Sequence, residues 1–201
     1  MDGVLIDARE WHYEALNEAL EIFGFRISED DHKNRFDGLS TKKKLDILSF
    51  ERNLPPMLFD LISDVKQDRT LRIAAAKCYP NVAHLILLRR LKNLGIRTGL
   101  VTNSIRKTTE FMLTYAGLLE YLDVIITNED IENPKPSPEG YEKAMRLLGV
   151  LPNETIVVED GEYGIEAAKK AGAVVLRVLG PEQVNLELLA KLIENLVPNE
   201  N

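Results

Sequence analysis

Acidic side chains stand at two positions in this chain where they could do chemistry. Asp2 opens residues 2–7, an Asp-Gly pair followed by three apolar residues and a second aspartate, which has the pattern of a strand end running into a turn. Glu159 and Asp160 directly follow the apolar run at residues 155–158. Two adjacent acids at the end of a buried strand repel one another without a cation, and hard divalent cations prefer carboxylate ligands. These positions predict a cation site.

Hydroxyl, amide and ammonium groups follow the other apolar runs. Thr102-Asn103-Ser104 comes after the run at residues 98–101, and Lys135 stands between two prolines in the loop beyond residues 124–127. Hydroxyls and exposed backbone amides can hydrogen-bond phosphate oxygens, and a lysine can neutralise their charge. Together with the acids, this set suits a phosphoryl group bound with Mg²⁺.

Each of these signals has a simpler structural explanation when it stands alone. Asp-Gly is most often a turn, and Thr-Asn-Ser after a strand is often only a helix cap. A lysine between prolines is more often a solvated loop residue than a ligand. The combination is more specific than its parts, because all four signals fall at strand ends. The functional interpretation depends on that agreement.

The elements that must position these groups change character near residue 79. Before it, helical spacing and capping residues predict helices at residues 8–24, after Ser28, after Ser40 and from Pro55 towards Ala76, without a convincing strand. Beyond it, short runs rich in β-branched residues alternate with helical patterns. The predicted strands cover residues 98–102, 124–127, 155–158 and 174–178, and the predicted helices cover residues 82–94, 106–116, 141–148, 165–171 and 186–196.

Continuous apolar strands separated by helices are typical of a parallel sheet covered on both faces. We therefore expect an α/β fold, a doubly wound, Rossmann-like parallel sheet core with an inserted all-helical cap domain. The core would comprise residues 1–8 and 79–201, and the cap residues 9–78. Ligands bind at the carboxyl ends of the strands in such sheets, so the acids, hydroxyls and lysine should meet there.

Composition narrows the class of function. The 201 residues carry a formal net charge of −7, which argues against a nucleic-acid partner because such proteins present a basic face. Cys78 is the single cysteine, so we expect neither a disulfide framework nor a thiol metal cluster. No apolar run approaches the length of a membrane span, and no signal peptide precedes the first motif. We expect a cytoplasmic protein, a monomer or weak dimer, without nucleic-acid or membrane partners.

The motifs resemble those of one enzyme family, the haloacid dehalogenase-like superfamily. Its first motif ends in a pattern similar to Asp2-Gly3-Val4-Leu5. Its second, third and fourth motifs are similar to Val101-Thr102-Asn103-Ser104, Lys135-Pro136-x-Pro138 and Glu159-Asp160-x-x-x-Gly164-Ile165-x-Ala167-Ala168. The similar subgroup contains the β-phosphoglucomutases and phosphoglycolate phosphatases, which carry a helical cap after the first motif. The likeness covers nearly the whole chain, including His12 and the cap loop Gly38-Leu39-Ser40.

The resemblance implies roles for individual residues. Asp2 would protonate the leaving oxygen and then activate water, and its backbone carbonyl would bind Mg²⁺. Asp160 would be a direct metal ligand, with Glu159 close by or linked through water. The phosphate would be held by Thr102, the Asn103 amide and Lys135. The wider substrate-binding set would be Asn103, Ser104, His12, Gly38, Thr41 and Lys42.

The chain departs from the family pattern at several positions. Gly161 stands where a serine usually follows the Glu-Asp pair, and Asn81 replaces the glycine of a Pro-Gly-Val run. Thr41, followed by Lys42, stands where the mutases carry a cap arginine for a second phosphate, which weakens the mutase interpretation. The three lysines at residues 42–44 could grip an acidic substrate, although a solvated helix face is the commoner explanation of such a run.

The resemblance also assigns the nucleophile, an aspartate two residues before the Asp-Gly pair, to a position before Met1. Asp2 cannot attack phosphorus without giving up its acid role, and a first strand of the usual five or six residues would also begin earlier. We expect the chain to be shortened at its amino terminus and poorly active or inactive in this form. The alternative is a true pseudoenzyme.

One functional hypothesis follows from these observations. We expect a Mg²⁺-dependent phosphatase that acts on a small phosphorylated metabolite, such as a sugar phosphate, through an aspartyl-phosphate, with the cap closing over the substrate. Asp2 favours phosphate over halide chemistry, since an alkoxide leaving group gains from a general acid and a halide does not. The alternatives are a phosphosugar mutase of the same family and a non-catalytic protein that binds phosphate and metal.

Overall fold

Four short parallel strands form the centre of the computed structural model, which describes residues 1–36, 38–188 and 190. β1 (Gly99–Val101) pairs with β2 (Val124–Ile126), and β3 (Ile156–Glu159) pairs with β4 (Val174–Arg177). Each strand begins and ends within one residue of its predicted bounds. In the part of the chain that the structure describes, the strands are hydrogen-bonded as two pairs, and a parallel bridge joins Asp2 to Ile6.

Helices cover both faces of these strands. They are α5 (Val82–Asn93), α6 (Arg106–Tyr115), α7 (Glu139–Leu148) and α8 (Glu162–Lys170). Leu100 packs with buried residues of α5 and α6, whereas the next residue, Val101, packs with buried residues of α7 and α8. Successive side chains of a strand point to opposite faces, so this division follows from the strand itself. Val157 of β3 shares the cluster of Val101, which holds the two strand pairs together. The predicted α/β class with parallel strands is confirmed.

The helices between the first turn and residue 77 build a second apolar cluster. They are α1 (Arg9–Glu21), α2 (Glu29–Asp31), α3 (Thr41–Arg52) and α4 (Phe59–Lys77), with a π-helical turn at His32–Phe36 and a 3-10 turn at Pro56–Leu58. We call α1 to α4 the cap helices. Their cluster includes the fully buried Leu20, Phe36, Leu45, Leu48 and Ile62. No strand occurs in the described residues from 9 to 77, as the prediction of an inserted helical segment requires.

The ends of the cap helices are anchored in the core. Ala8, Ala74 and Cys78 pack in the same cluster as Leu88 and Leu100. The domain boundaries at residues 9 and 78 therefore stay a prediction, because apolar packing continues across them. The remaining 3-10 turns are Leu119–Tyr121, Asn128–Asp130, Pro152–Glu154 and Pro181–Gln183.

Two predicted helix starts are capped by the expected side chains. Ser28 Oγ accepts a hydrogen bond from the Asp31 amide at 3.1 Å, and Ser40 Oγ accepts one from the Lys43 amide at 3.4 Å. The second cap ends the loop that contains Gly38 and starts α3 at Thr41. The predicted helix at residues 186–196 lies largely outside the described residues. Among the helices that the structure describes, none has the length and apolar character needed to cross a bilayer.

Candidate active site

One cavity of about 810 Å³ collects the predicted site residues. It is lined by residues of the cap helices and by the loops that follow β1 and β3. Its lining contains Asp2, His12, Gly38, Thr41, Lys42, Thr102, Asn103, Ser104, Lys135, Glu159 and Asp160. Residues that are distant in the chain thus meet at one edge of the strands, as the carboxyl ends of parallel strands should.

Asp2 is held by one residue of the core and one of the cap helices. Its Oδ2 accepts a hydrogen bond from Ser104 Oγ at 3.0 Å, and its Oδ1 lies 3.3 Å from His12 Nε2. Burial opposes ionisation of Asp2, but His12 and Ser104 outweigh it and lower the pKa of Asp2 below its ordinary value. Asp2 is therefore a carboxylate at neutral pH, the form that accepts a proton from water. A phosphate dianion beside it would raise this pKa.

A half-buried lysine, Lys66, lies on the side of His12 away from Asp2. Lys66 Nζ lies 3.4 Å from His12 Nδ1, so the neutral tautomer that accepts from Lys66 presents its Nε2–H towards Asp2. Burial and Lys66 both lower the pKa of His12, which favours that neutral form. Burial and the neighbouring Lys44 in turn lower the pKa of Lys66 to about 8. Lys66, His12 and Asp2 thus form one polar chain from the cap helices to the strand ends.

Glu159 and Lys135 form an ion pair inside the site. Lys135 Nζ contacts Glu159 Oε1 and donates to the Val101 carbonyl at 2.9 Å, while Tyr141 Oη donates to the same Glu159 oxygen at 2.5 Å. Glu159 is only 7% exposed, and burial opposes its charge, but Lys135 and Tyr141 hold its pKa below the ordinary value. A Cβ atom at Gly164 would lie 2.3 Å from the Glu159 carboxyl carbon. Glycine at 164 therefore makes room for this carboxylate.

Asp160 is paired with an arginine of the first cap helix. Arg9 Nη2 lies 2.7 Å from Asp160 Oδ2. Burial raises the pKa of Asp160, Arg9 opposes that effect, and Glu159 adds to it. The first turn approaches this carboxylate closely, since a Cβ atom at Gly3 would lie 2.1 Å from Asp160 Oδ2. Gly3 also has a φ of +73°, so both space and backbone conformation favour glycine there.

Asn103 connects the cap loop to the Lys135 loop. Its Nδ2 donates to the Gly38 carbonyl at 3.2 Å, and its Oδ1 accepts from the Lys135 amide at 3.1 Å. Thr102 lies beside it, buried, with Oγ1 accepting from the Ser104 amide at 3.1 Å. Both ends of the Asn103 side-chain amide are thus occupied, and Asn103 fixes the position of Lys135 relative to the cap loop.

The three consecutive lysines of α3 differ in their surroundings. Lys42 is exposed at the rim of the cavity and Lys43 is exposed outside its lining, whereas Lys44 lines the cavity and is only 7% exposed. Thr41 is half-buried and also lines the cavity. A solvated face thus accounts for Lys43, while Lys44 shares the inward face of the helix with Leu45 and Leu48.

Sequence reasoning missed several residues of the site. Among them are Arg9, Lys66 and Tyr141, each of which contacts a predicted site residue. No local pattern distinguishes these three from ordinary helix residues. Lys44, by contrast, belongs to the run of three lysines that could grip an acidic substrate.

The acids of the site fit a divalent cation that is shared with a phosphate. Among the described residues, no group of three or more His, Cys, Asp or Glu side chains forms a complete metal site. Mg²⁺ in phosphate-handling sites is usually bound by one or two carboxylates and by the substrate's own oxygens. Asp160 and Glu159 can supply these carboxylates. The buried Asp2 Oδ1 lies 3.3 Å from His12 Nε2 but makes no hydrogen bond among the described residues, so it could add a further oxygen.

Comparison with known proteins gives a consistent result. The family model for haloacid dehalogenase-like hydrolases matches residues 1–178. The phosphorylated carbohydrates phosphatase of Thermotoga maritima is 30% identical over 172 residues, which cover 86% of this chain and 79% of that protein. The pyrophosphatase PpaX of Bacillus cereus is 28% identical over 183 residues, which cover 86% of this chain and 77% of that protein.

Solved structures agree on the fold. The crystal structure of β-phosphoglucomutase from Clostridium difficile matches with a TM-score of 0.82 and 22% identity, over 96% of this chain and 94% of that chain. The names of the curated relatives support the prediction of a phosphoric monoester hydrolase. The family model spans the strands, the cap helices and every residue of the cavity. The chain therefore belongs to the haloacid dehalogenase-like hydrolase family.

Proposed function

We propose that this protein is a Mg²⁺-dependent phosphatase that acts on small phosphorylated metabolites, such as sugar phosphates. The observation that supports this most strongly is the convergence of Asp2, Thr102, Lys135 and Asp160, from four separate segments, on one cavity. A volume of about 810 Å³ is in the range of small-molecule sites. The likeness to a phosphatase of phosphorylated carbohydrates supports the same class of substrate.

Phosphate would bind at the end of β1, where Lys135 retains donor capacity. The ammonium group has three N–H donors, of which Glu159 and the Val101 carbonyl take two. The third can meet a phosphate oxygen, together with the Thr102 hydroxyl and the Asn103 amide. These donors are held in place before the ligand arrives, because Lys135 is bonded at both its amide and its Nζ. Such preorganised donors stabilise charge that develops on phosphate oxygens.

Asp2 would serve as the general acid and then the general base of the reaction. Ser104 donates a hydrogen bond to one of its oxygens and His12 lies 3.3 Å from the other, which favours one orientation of the carboxyl group. It would give a proton to the leaving oxygen and take one from water, with its pKa raised by the bound phosphate. A cation held by Asp160, with Glu159 nearby and the Asp2 carbonyl, would neutralise charge on the phosphate.

Two lysines of the cap helices, Lys44 and Lys66, line the cavity. Their positive charge favours a polar or acidic group on the part of the substrate that does not carry the reacting phosphate. A phosphosugar mutase, which must hold a second phosphate, is therefore the second candidate. The two activities separate in one experiment, because a mutase uses a sugar bisphosphate as an activator, whereas a phosphatase hydrolyses it.

Substrate binding should depend on the protonation of Lys66. Because its pKa is lowered to about 8, the ammonium form that attracts an anion is lost as the pH rises through that value. We expect affinity for a hexose monophosphate, measured by calorimetry with Mg²⁺, to fall between pH 7 and 9. Phosphate itself is already a dianion above pH about 7, so it does not add to this change. His12, Lys44 and Asp2 are the ionisable groups that surround Lys66.

Lys66→Arg provides the matched control for this pH dependence. An arginine stays charged over the whole range, so the variant should bind the sugar phosphate with little change between pH 7 and 9. An equal loss of affinity in both proteins would assign the titration to another group and contradict the prediction.

The proposed function is tested by two measurements on the same protein. Calorimetry with Mg²⁺ and inorganic phosphate measures binding, and a screen of phosphorylated metabolites measures phosphate release. Binding of both ligands with turnover of sugar phosphates is the expected result. Binding without turnover would identify a non-catalytic phosphate-binding protein instead. Absence of phosphate binding would contradict both.

A further inference from the structure

Arg9 places a permanent positive charge on the carboxylate that the metal would use. Its Nη2 lies 2.7 Å from Asp160 Oδ2, and the Asp160 side chain is only 11% exposed. In the part of the chain that the structure describes, the guanidinium makes one other hydrogen bond, a long one of 3.5 Å to the Leu179 carbonyl. Its Nε is buried without a hydrogen-bond partner among the described residues. Asp160 therefore has a cationic partner that belongs to the chain itself and is held by few other bonds.

A divalent cation and this guanidinium cannot both be close neighbours of Asp160 without repelling one another. The same oxygen, Oδ2, is also the one nearest to the first turn at Gly3. Arg9 is the first residue of α1, lines the mouth of the cavity and is 36% exposed, so its side chain has solvent to move into. The guanidinium can therefore leave Asp160 without disturbing the packed core.

We propose that Arg9 is an internal counter-cation that competes with the divalent cation for Asp160 and thereby lowers the affinity of the site for metal. This inference rests on the proposed function, since it requires that Asp160 bind the cation. Without metal, Arg9 neutralises Asp160 beside the second acid, Glu159. With metal, that neutralisation is redundant. The measured affinity for metal then reflects the difference between the free energies with which the metal and Arg9 interact with Asp160.

The test is metal affinity in Arg9→Met, which keeps the aliphatic part of the side chain and removes the charge. We expect Mg²⁺, titrated alone by calorimetry, to bind about twofold to fivefold more tightly than to the wild type, which is the upper part of the range for loss of one partly exposed competing ion pair. Thermal melting without metal should occur at a lower temperature than in the wild type. Saturating Mg²⁺ should then raise the melting temperature by more than it does in the wild type.

Arg177→Met is the control for general electrostatics. Arg177 pairs at 2.8 Å with Glu162, which lines the same cavity, and its removal changes the net charge by the same amount. Its affinity for Mg²⁺ should change less than twofold. Arg9→Gln, which is polar and also uncharged, repeats the test if Arg9→Met does not fold.

The outcomes separate this inference from the function on which it rests. Tighter binding in Arg9→Met than in Arg177→Met supports competition at Asp160. Unchanged or weaker binding in Arg9→Met, with normal binding in the wild type, overturns the role of Arg9 and leaves the metal site intact. If no variant and no wild-type protein binds Mg²⁺, the metal site and the inference both fail. Weaker phosphate binding with unchanged metal affinity would assign Arg9 to the phosphate instead.

Discussion

Replacing Asp160 with asparagine is expected to weaken Mg²⁺ binding by more than about 100-fold, since even residues that only support a metal ligand contribute tenfold to 100-fold. The substitution preserves the shape of the side chain and removes the charge that a hard cation requires. It also leaves Arg9 without its carboxylate partner. A cation near the remaining acid, Glu159, would therefore meet the guanidinium without compensation. Calorimetry with Mg²⁺ in the presence of inorganic phosphate measures the loss.

Glu162→Gln is the matched control for this prediction. Glu162 lines the same cavity two residues further on, but its side chain is 74% exposed and pairs with Arg177. The substitution Glu162→Gln removes one negative charge from the same region. It therefore measures how much of the loss of Mg²⁺ affinity comes from general electrostatics. We expect less than about a threefold change, because exposed charges are screened. An equal loss in the two variants would remove Asp160 from the metal site.

The placement of the site was predictable from sequence because it follows from the topology of the fold. Parallel strands end at one edge, so Thr102 after β1 and Glu159 at the end of β3 had to approach one another wherever the loops ran. The strands themselves were predictable because the apolar runs are short and rich in β-branched residues, which favours strands over helices. Asp2 and Asp160 line the same cavity, since Asp160 directly follows β3 and Asp2 lies in the parallel bridge to Ile6.

Some partners of the acids could not be predicted in the same way. Lys66 reaches His12 across 54 residues of sequence, and Arg9, near the start of the chain, pairs with Asp160. These contacts depend on how the cap helices lie over the strands, which neither periodicity nor a capping residue encodes. Tyr141 looked like an ordinary apolar position of α7, and only the structure shows its hydroxyl donating to Glu159. Sequence thus predicted the acids and several of their partners, and missed these other cations and donors.

Each acid of the site has a cationic or polar partner in the same chain. His12 faces Asp2, Lys135 faces Glu159 and Arg9 faces Asp160. Buried acids without such partners would lose their charge or destabilise the fold. The partners differ in burial, however. Lys135 is 11% exposed and Arg9 is 36% exposed, so the two ion pairs should differ in what their removal costs.

Lys135→Met is expected to lower the free energy of unfolding by about 3–5 kcal/mol, the range for removing one partner of a buried ion pair. Glu159 would keep its burial and its contact with Tyr141 but lose the ammonium that compensates its charge. Asn103 and Val101 would retain their own backbone positions, so the loss arises mainly from the unpaired carboxylate. Urea denaturation monitored by circular dichroism, without metal or phosphate, measures this change. The same variant should lose most of its affinity for phosphate.

The double variant Lys135→Met with Glu159→Gln distinguishes an unpaired charge from a packing defect. Glutamine can still accept the hydrogen bond from Tyr141 and carries no charge, so we expect it to recover more than half of the stability lost in Lys135→Met. Lys170→Met, which breaks an exposed pair with Glu166, should cost less than about 1 kcal/mol and serves as the surface control. If the double variant is no more stable than Lys135→Met, Lys135 stabilises the fold through its packing. Recovery of stability without recovery of phosphate binding would assign the ammonium itself to the ligand, because the double variant restores the fold and not the third donor.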